Sequence, residues 1–175
     1  MAFVSSGGTG DARKGWDLLQ AALPAVRDHH PDVTVVVAGP TAPGGGHVES
    51  AVPVIWLGQV QGDTALSDLY GAADVVAVPS REDNMTLVAM EAQSCGRPVV
   101  AFAIGGLPDI VEHQATGYLA RAYDTDDLAT GLVQAIDDSM HERRWSQAAR
   151  ERAVRTWSPD VVVARYEAVY DEVIR

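Results

Sequence analysis

Two runs of apolar residues, Ala73-Asp-Val-Val-Ala-Val-Pro79 and Arg97-Pro-Val-Val-Ala-Phe102, constrain this chain more than any other feature. Neither alternates apolar with polar residues, so each predicts a strand buried on both faces, as in a parallel sheet. Parallel neighbours cannot be joined by a tight turn. They need a crossover, and the segment from about Met85 to Cys95 supplies one helix for it. The same strand-and-helix pattern recurs upstream. Phe3 to Ser5, Val33 to Gly39 and Val54 to Gly58 predict three further strands, with one helix beginning near Trp16 and another over Leu66 to Ala73. The expected class is α/β.

Ligands of such sheets collect beyond the carboxyl ends of the strands, which points to the loop Ser80 to Thr86. Asn84 or Thr86 is placed to cap the following helix, leaving other N–H groups at that end free for an anion. Leu87, Val88, Glu91 and Cys95 recur at three- and four-residue spacings and so share a helix face, which is expected to meet the sheet. A carboxylate on such a face needs partners, because burying it unpaired costs several kcal/mol, roughly the penalty of an isolated buried charge. Glu91 is either half of an internal ion pair, with Lys14 or Arg97, or an acceptor for ligand hydroxyls such as those of a ribose.

These residues resemble the C-terminal, donor-binding half of a GT-B fold glycosyltransferase of family 4, the retaining group 1 set. That family brackets its donor with two acidic residues separated by seven others, a spacing that Asp83 and Glu91 have. The resemblance implies that the first approaches the transferred sugar and the second holds the nucleotide ribose. Glu82, one position early, is the alternative for the first role. Gly10-Asp-Ala-Arg-Lys-Gly15 is similar to the family's lysine-glycine turn, so Arg13 and Lys14 are expected to neutralise the donor diphosphate, close to Gly8. Leu57-Gly-Gln-Val60 resembles its base-binding turn, which adds Gly58 and Val60 to the donor contacts, with Gly39 at the end of the second strand. Asn84, Met85, Thr86 and Leu87 complete the set of donor-binding candidates.

Gly105-Gly-Leu-Pro-Asp109, Gly117-Tyr-Leu, Asp126-Asp-Leu-Ala and a terminal run of helices complete the family's order. The expected fold is thus a doubly wound parallel sheet, Rossmann-like, forming the C-terminal half of a GT-B fold. The wording Glu82-Asp-Asn with Met90-Glu-Ala resembles the branch that builds polysaccharides. The 175 residues suffice for one nucleotide-sugar-binding domain, whereas two domains need about twice that length at ~100–200 residues each. The N-terminal acceptor domain is therefore expected to be absent from this chain, along with the histidine the family places near the reacting sugar.

Composition excludes several other classes. A net charge of -11 disfavours nucleic acid and anionic membranes as partners, and the 47% hydrophobic content excludes a disordered chain. Against that acidic background, Arg13 and Lys14 in a glycine-rich turn suit a small phosphate ligand better than a polymer. There is no apolar run of ~18 residues and no leader at the start of the chain, so a cytoplasmic domain without a transmembrane segment is expected. The single cysteine, Cys95, reads as a core thiol. The five histidines lack metal-ligand spacing, and of them only His113 is expected near the site. The nucleotide diphosphate-sugar is then a substrate, with no metal and no cofactor.

Arginine stands where a dinucleotide fingerprint needs its third glycine in Gly8-Thr-Gly10-Asp-Ala-Arg13, and no Gly-Lys-Ser/Thr marks a phosphate loop. No G-x-S-x-G elbow is present. Pro43 to Gly46 reads as a connector, and Arg143, Arg144, Arg150, Arg152 and Arg155 as an exposed helix face with intrahelical pairs. Near the end, Ser158 or Asp160 starts a helix whose Val162, Tyr166, Val169, Tyr170 and Val173 form an apolar stripe. That stripe either docks on the domain's own sheet or is exposed and favours self-association. Beside the transferase, a nucleotide-sugar 2-epimerase-like domain and a non-catalytic nucleotide-sugar-binding module remain open. A receiver-like domain does not, because Ser5-Ser-Gly-Gly offers no acidic cluster.

Overall fold

A computed structural model describes residues 1–40 and 49–174. The connector at Pro43 to Gly46, with His47, lies outside the described residues. The sheet has six strands, β1 (Ala2–Val4), β2 (Val35–Ala38), β3 (Val54–Gly58), β4 (Val76–Val78), β5 (Val99–Phe102) and β6 (Gly117–Ala120). They lie in the order β3-β2-β1-β4-β5-β6, and every pairing is parallel. That order reverses between β1 and β4. There two crossovers leave in opposite directions, opening a crevice above the strand ends.

The helices are α1 (Trp16–His29), α2 (Asp63–Ala72), α3 (Leu87–Ser94), α4 (Leu107–Ile110), α5 (Thr125–Met140), α6 (Arg144–Trp157) and α7 (Pro159–Ile174). One core joins α1 and α5 to the sheet through Leu19, Leu23, Val26, Leu128 and Leu132. The other, beneath α2, α3 and α4, holds Tyr70, Ala89, Ala92, Leu107 and Ile110. In β4 and β5 successive residues serve the two sides in turn, Ala77 and Val100 facing the first core and Val76, Val78 and Val99 the second. An unbroken Val/Ala run is what such a two-sided position requires.

Several expectations change in detail. Strands β2, β4 and β5 are shorter than their apolar runs, because the flanking residues already belong to the loops, and β1 is shifted by one residue. In α3 the buried side chains are Ala89, Ala92 and Gln93, whereas Leu87 is 67% exposed. The helix therefore sits mainly on its small residues, with Val88 partly buried against the same core, while Leu87 turns out to the ligand edge. Cys95 is the half-buried C-cap residue of that helix, packed against the edge of the second core with its Sγ 3.8 Å from Ser67 Oγ.

The basic cluster of α6 also differs from the expected intrahelical pairing. Arg150 donates to Ser94 O, while Arg152 donates to the carbonyls of Asp109 and Ile110 and pairs with Glu112. These arginines tie α6 to the ends of α3 and α4. The last helix, α7, has no buried residue. Its Tyr166, Val169, Tyr170 and Val173 are all exposed, so the stripe does not dock on the domain's own sheet.

Candidate functional site

The loops after β1 and β4 meet over the crevice. Two short 3-10 turns, Gly8–Gly10 and Ala12–Lys14, carry the chain from β1 to α1, and Gly15 ends the second with φ 67°. A side chain on Gly15 would overlap the carbonyl of Pro79 at the end of β4, so glycine is required both for the backbone angle and for this close crossing. Arg81 fastens the same crossing. Its N–H donates to Arg13 O at 2.7 Å, and its guanidinium donates to Ala12 O and takes Asp17 in a two-pronged pair at 2.7 and 2.6 Å.

That crossing brings Lys14 to Asp83, with Nζ 2.9 Å from Oδ2. Ser80 Oγ donates to the same oxygen at 3.3 Å. Both line a cavity of about 420 Å³ bounded by the ends of β1, β2 and β4 and by the start of α3. Glu91, one turn into α3, lines it too. Its Oε2 accepts from the hydroxyl of Tyr70 at 2.8 Å. Neither Lys14 nor Arg97 pairs with it: Lys14 is engaged by Asp83, and Arg97 donates to Gly71 O. The ion pair considered for Glu91 is therefore replaced by a neutral donor from α2.

Thr86 is the N-cap residue of α3, but its side chain makes no capping hydrogen bond. A capping side chain is worth ~0.5–2 kcal/mol, so leaving it out keeps the first N–H groups of α3 available beside the cavity at some cost in helix stability. Met85, Thr86 and Leu87 line the cavity, as do Gly39 and Val60. Met85 and Leu87 stand at its mouth, 60% and 67% exposed.

Other candidates lie outside the lining. Arg13 turns away and is held by Asp11, whose carboxyl is pushed below its ordinary range chiefly by the hydrogen bond from that guanidinium. Glu82 and Asn84 are exposed and not part of the wall, so of the two acidic residues in the loop it is Asp83 that reaches the cavity. Gly8 packs under the Pro40 carbonyl, and Gly58 ends β3 outside the lining. His113, expected near the site, is not part of this wall. Its Nδ1 accepts from Leu119 N–H at 3.1 Å and its ring packs on Tyr118.

Reading the sequence missed Ser5 and Ser6 in the lining and Tyr70 behind Glu91, and it placed Gln59 and Ser80 in the right turns without naming them as contacts. A polar residue directly after a buried parallel strand was the available signal for Ser5 and Ser80. Tyr70 gave none, since it lies on another helix. Among the described residues no group of three or more His, Cys, Asp or Glu is placed to hold a metal ion, and no helix is long and apolar enough to cross a membrane.

The six-stranded parallel sheet, with a cation, carboxylates and a helix N-terminus around the crevice at its switch point, defines a doubly wound, Rossmann-like α/β domain. Residues 2–138 match the family described as glycosyl transferases group 1, and the chain belongs to that family. A D-inositol 3-phosphate glycosyltransferase from Salinispora tropica is 36% identical over 177 residues, covering 92% of this chain and 36% of that protein. The N-acetyl-alpha-D-glucosaminyl L-malate synthase of Bacillus anthracis is 30% identical over 129 residues, 74% of this chain and 32% of that protein. The chain thus spans about a third of the length of these curated relatives.

Among solved structures, the sucrose-phosphate synthase from Thermosynechococcus elongatus superposes with a TM-score of 0.81 at 26% identity, covering 99% of this chain and 45% of that one. HepE from Anabaena, solved with UDP and glucose, superposes at 0.77 and 24% identity, covering 99% and 48%. The fold is that of one half of a GT-B glycosyltransferase.

Proposed function

We propose that this chain binds the nucleotide diphosphate-sugar donor of a retaining glycosyltransferase and forms the C-terminal half of a two-domain enzyme. The observation that carries the reading is the convergence of Lys14, Asp83, Glu91 and the uncapped start of α3 on one cavity at the switch point. A donor carries a diphosphate, a ribose and a sugar, and each has a matching group here. Lys14 and the N–H groups of α3 stabilise the negative charge that grows on the diphosphate as its bond to the sugar breaks. Arg13 adds to them only by exchanging Asp11 for phosphate. Asp83 orients the sugar hydroxyls, Glu91 accepts from the ribose, and Gly39 and Val60 border the base. Charge neutralisation by the protein makes a metal unnecessary in this scheme.

The acceptor binds to a further domain, so the 175-residue chain alone supports at most slow donor hydrolysis. Donor and acceptor must be held in near-attack geometry, which can supply roughly 7–11 kcal/mol of the barrier. Relatives named for inositol 3-phosphate and L-malate favour a glycoconjugate setting over a polymer.

The test is a thermal-shift panel of UDP-, GDP- and ADP-linked sugars. A ligand at a hundred times its Kd adds ~2.7 kcal/mol, and at about 2–4 °C per kcal/mol the melting temperature rises by roughly 5–10 °C for one base class. No shift with any member at millimolar ligand contradicts the reading.

A further inference from the structure

We infer that Tyr70 is a positioning residue for Glu91, aiming its carboxylate at the ribose and so setting the preference for ribonucleotides over deoxyribonucleotides. The inference rests on the donor-binding reading above and deepens it. Tyr70 is 1% exposed, clamped in the core between α2 and the sheet, so its ring has one place to be. Its hydroxyl donates to Glu91 Oε2 at 2.8 Å. Burial, the hydrogen bond to Glu91 and that carboxylate's charge all push the phenol well above its ordinary range, which keeps it a donor throughout the working pH range.

Among the described residues Glu91 forms no ion pair, and Tyr70 is its one side-chain hydrogen-bond partner. A phenol has a single proton to give, and here it goes to Oε2. The carboxylate is thereby fixed in rotation while Oε1 keeps its lone pairs for a hydroxyl in the cavity that Glu91 lines. Helix α2, which carries Tyr70, starts three residues after Val60, and Gln59 and Val60 line the same cavity as Glu91.

The test is calorimetry on the 175-residue chain with UDP, GDP and ADP, each beside its 2′-deoxy counterpart. For the base that binds, the wild type should prefer the ribonucleotide by about tenfold or more, the value of a hydrogen bond to a charged acceptor. Tyr70→Phe keeps the ring and its packing. It should weaken the ribonucleotide about 3–10-fold and the deoxynucleotide by less than about twofold, and it should add nothing further in a Glu91→Gln background.

Glu91→Asp gives an independent reading, since it keeps the charge but withdraws the carboxylate from Tyr70, and it should lose the preference as well. If Glu91→Gln abolishes the preference while Tyr70→Phe and Glu91→Asp retain it, the positioning role is overturned and the donor reading stands. If the wild type shows no preference for ribose, the assignment of Glu91 falls, and the role of Tyr70 with it.

Discussion

Arg13 and Lys14 are adjacent in the sequence and diverge in the structure because the turn that carries them is a 3-10 turn, which sends consecutive side chains roughly a third of a revolution apart. Arg13 meets Asp11 in solvent, and Lys14 meets Asp83 at the cavity. Glu91 shows how a side chain's partner decides the outcome of its removal. With Tyr70 as a neutral partner, no charge is stranded when Glu91 becomes Gln, so the apo melting temperature should stay within about 2 °C while nucleotide affinity falls about tenfold. Calorimetry and melting on the same sample read both, and a large apo destabilisation would identify a structural role.

Asp127 illustrates the opposite case, a carboxylate that serves only the fold. Burial pushes its carboxyl up, but hydrogen bonds from Arg121 N–H, the Tyr118 hydroxyl and the Arg121 guanidinium together hold it below its ordinary value of 3.8. A depressed folded value contributes stability that is complete above about 3.8 and is lost as the pH falls through the folded value. Asp127→Asn should therefore lower the melting temperature at pH 7, and the gap to wild type should narrow on acidification below about pH 4. A gap independent of pH would contradict the assignment.

At the scale of elements, the site depends on two loops crossing with no room to spare. Gly15→Ala places a side chain against the Pro79 carbonyl from a left-handed backbone, a conformation that alone costs roughly 1–2 kcal/mol. The expected loss in urea unfolding is at least that amount, with weaker nucleotide binding as the Lys14 turn shifts. Unchanged stability would mean that the crossing is looser than the geometry indicates. The elements themselves were largely legible. Continuous Val/Ala runs announce strands buried on both faces, and β3 over Val54–Gly58 matches its apolar run from end to end.

The face of α3 was misread at Leu87 because Ala89 and Ala92 carry little hydrophobic signal, so the larger Leu87 seemed to belong to the buried side. The acidic pair of the site was visible as a spacing, and Lys14, beside Arg13, as part of a basic pair in a glycine-rich turn of an acidic chain. Tyr70 and the arginine ties of α6 were not visible. Their partners come from other elements, and contacts such as Tyr70 to Glu91, 21 residues apart, leave no local periodicity.

For the molecule as a whole, the unpaired surface is α7. Tyr166, Val169, Tyr170, Val173 and Ile174 are all more than half exposed on one 16-residue helix, an apolar strip that water disfavours. Sedimentation should show concentration-dependent association of the chain, reduced by Val169→Lys together with Tyr170→Glu; a monomer at all concentrations would contradict this. The central claim concerns the crevice, where an acidic chain gathers a cation, two carboxylates and a helix N-terminus around one cavity. Titration calorimetry of wild type, Lys14→Ala and Arg13→Ala with UDP, GDP and ADP tests it most directly. One diphosphate should bind in a 1:1 complex, with Lys14→Ala weakening it by about 10–100-fold, as expected for a charge-assisted contact of roughly 1.5–3 kcal/mol, and Arg13→Ala weakening it less. Affinity unchanged in Lys14→Ala would place the diphosphate elsewhere and contradict the account.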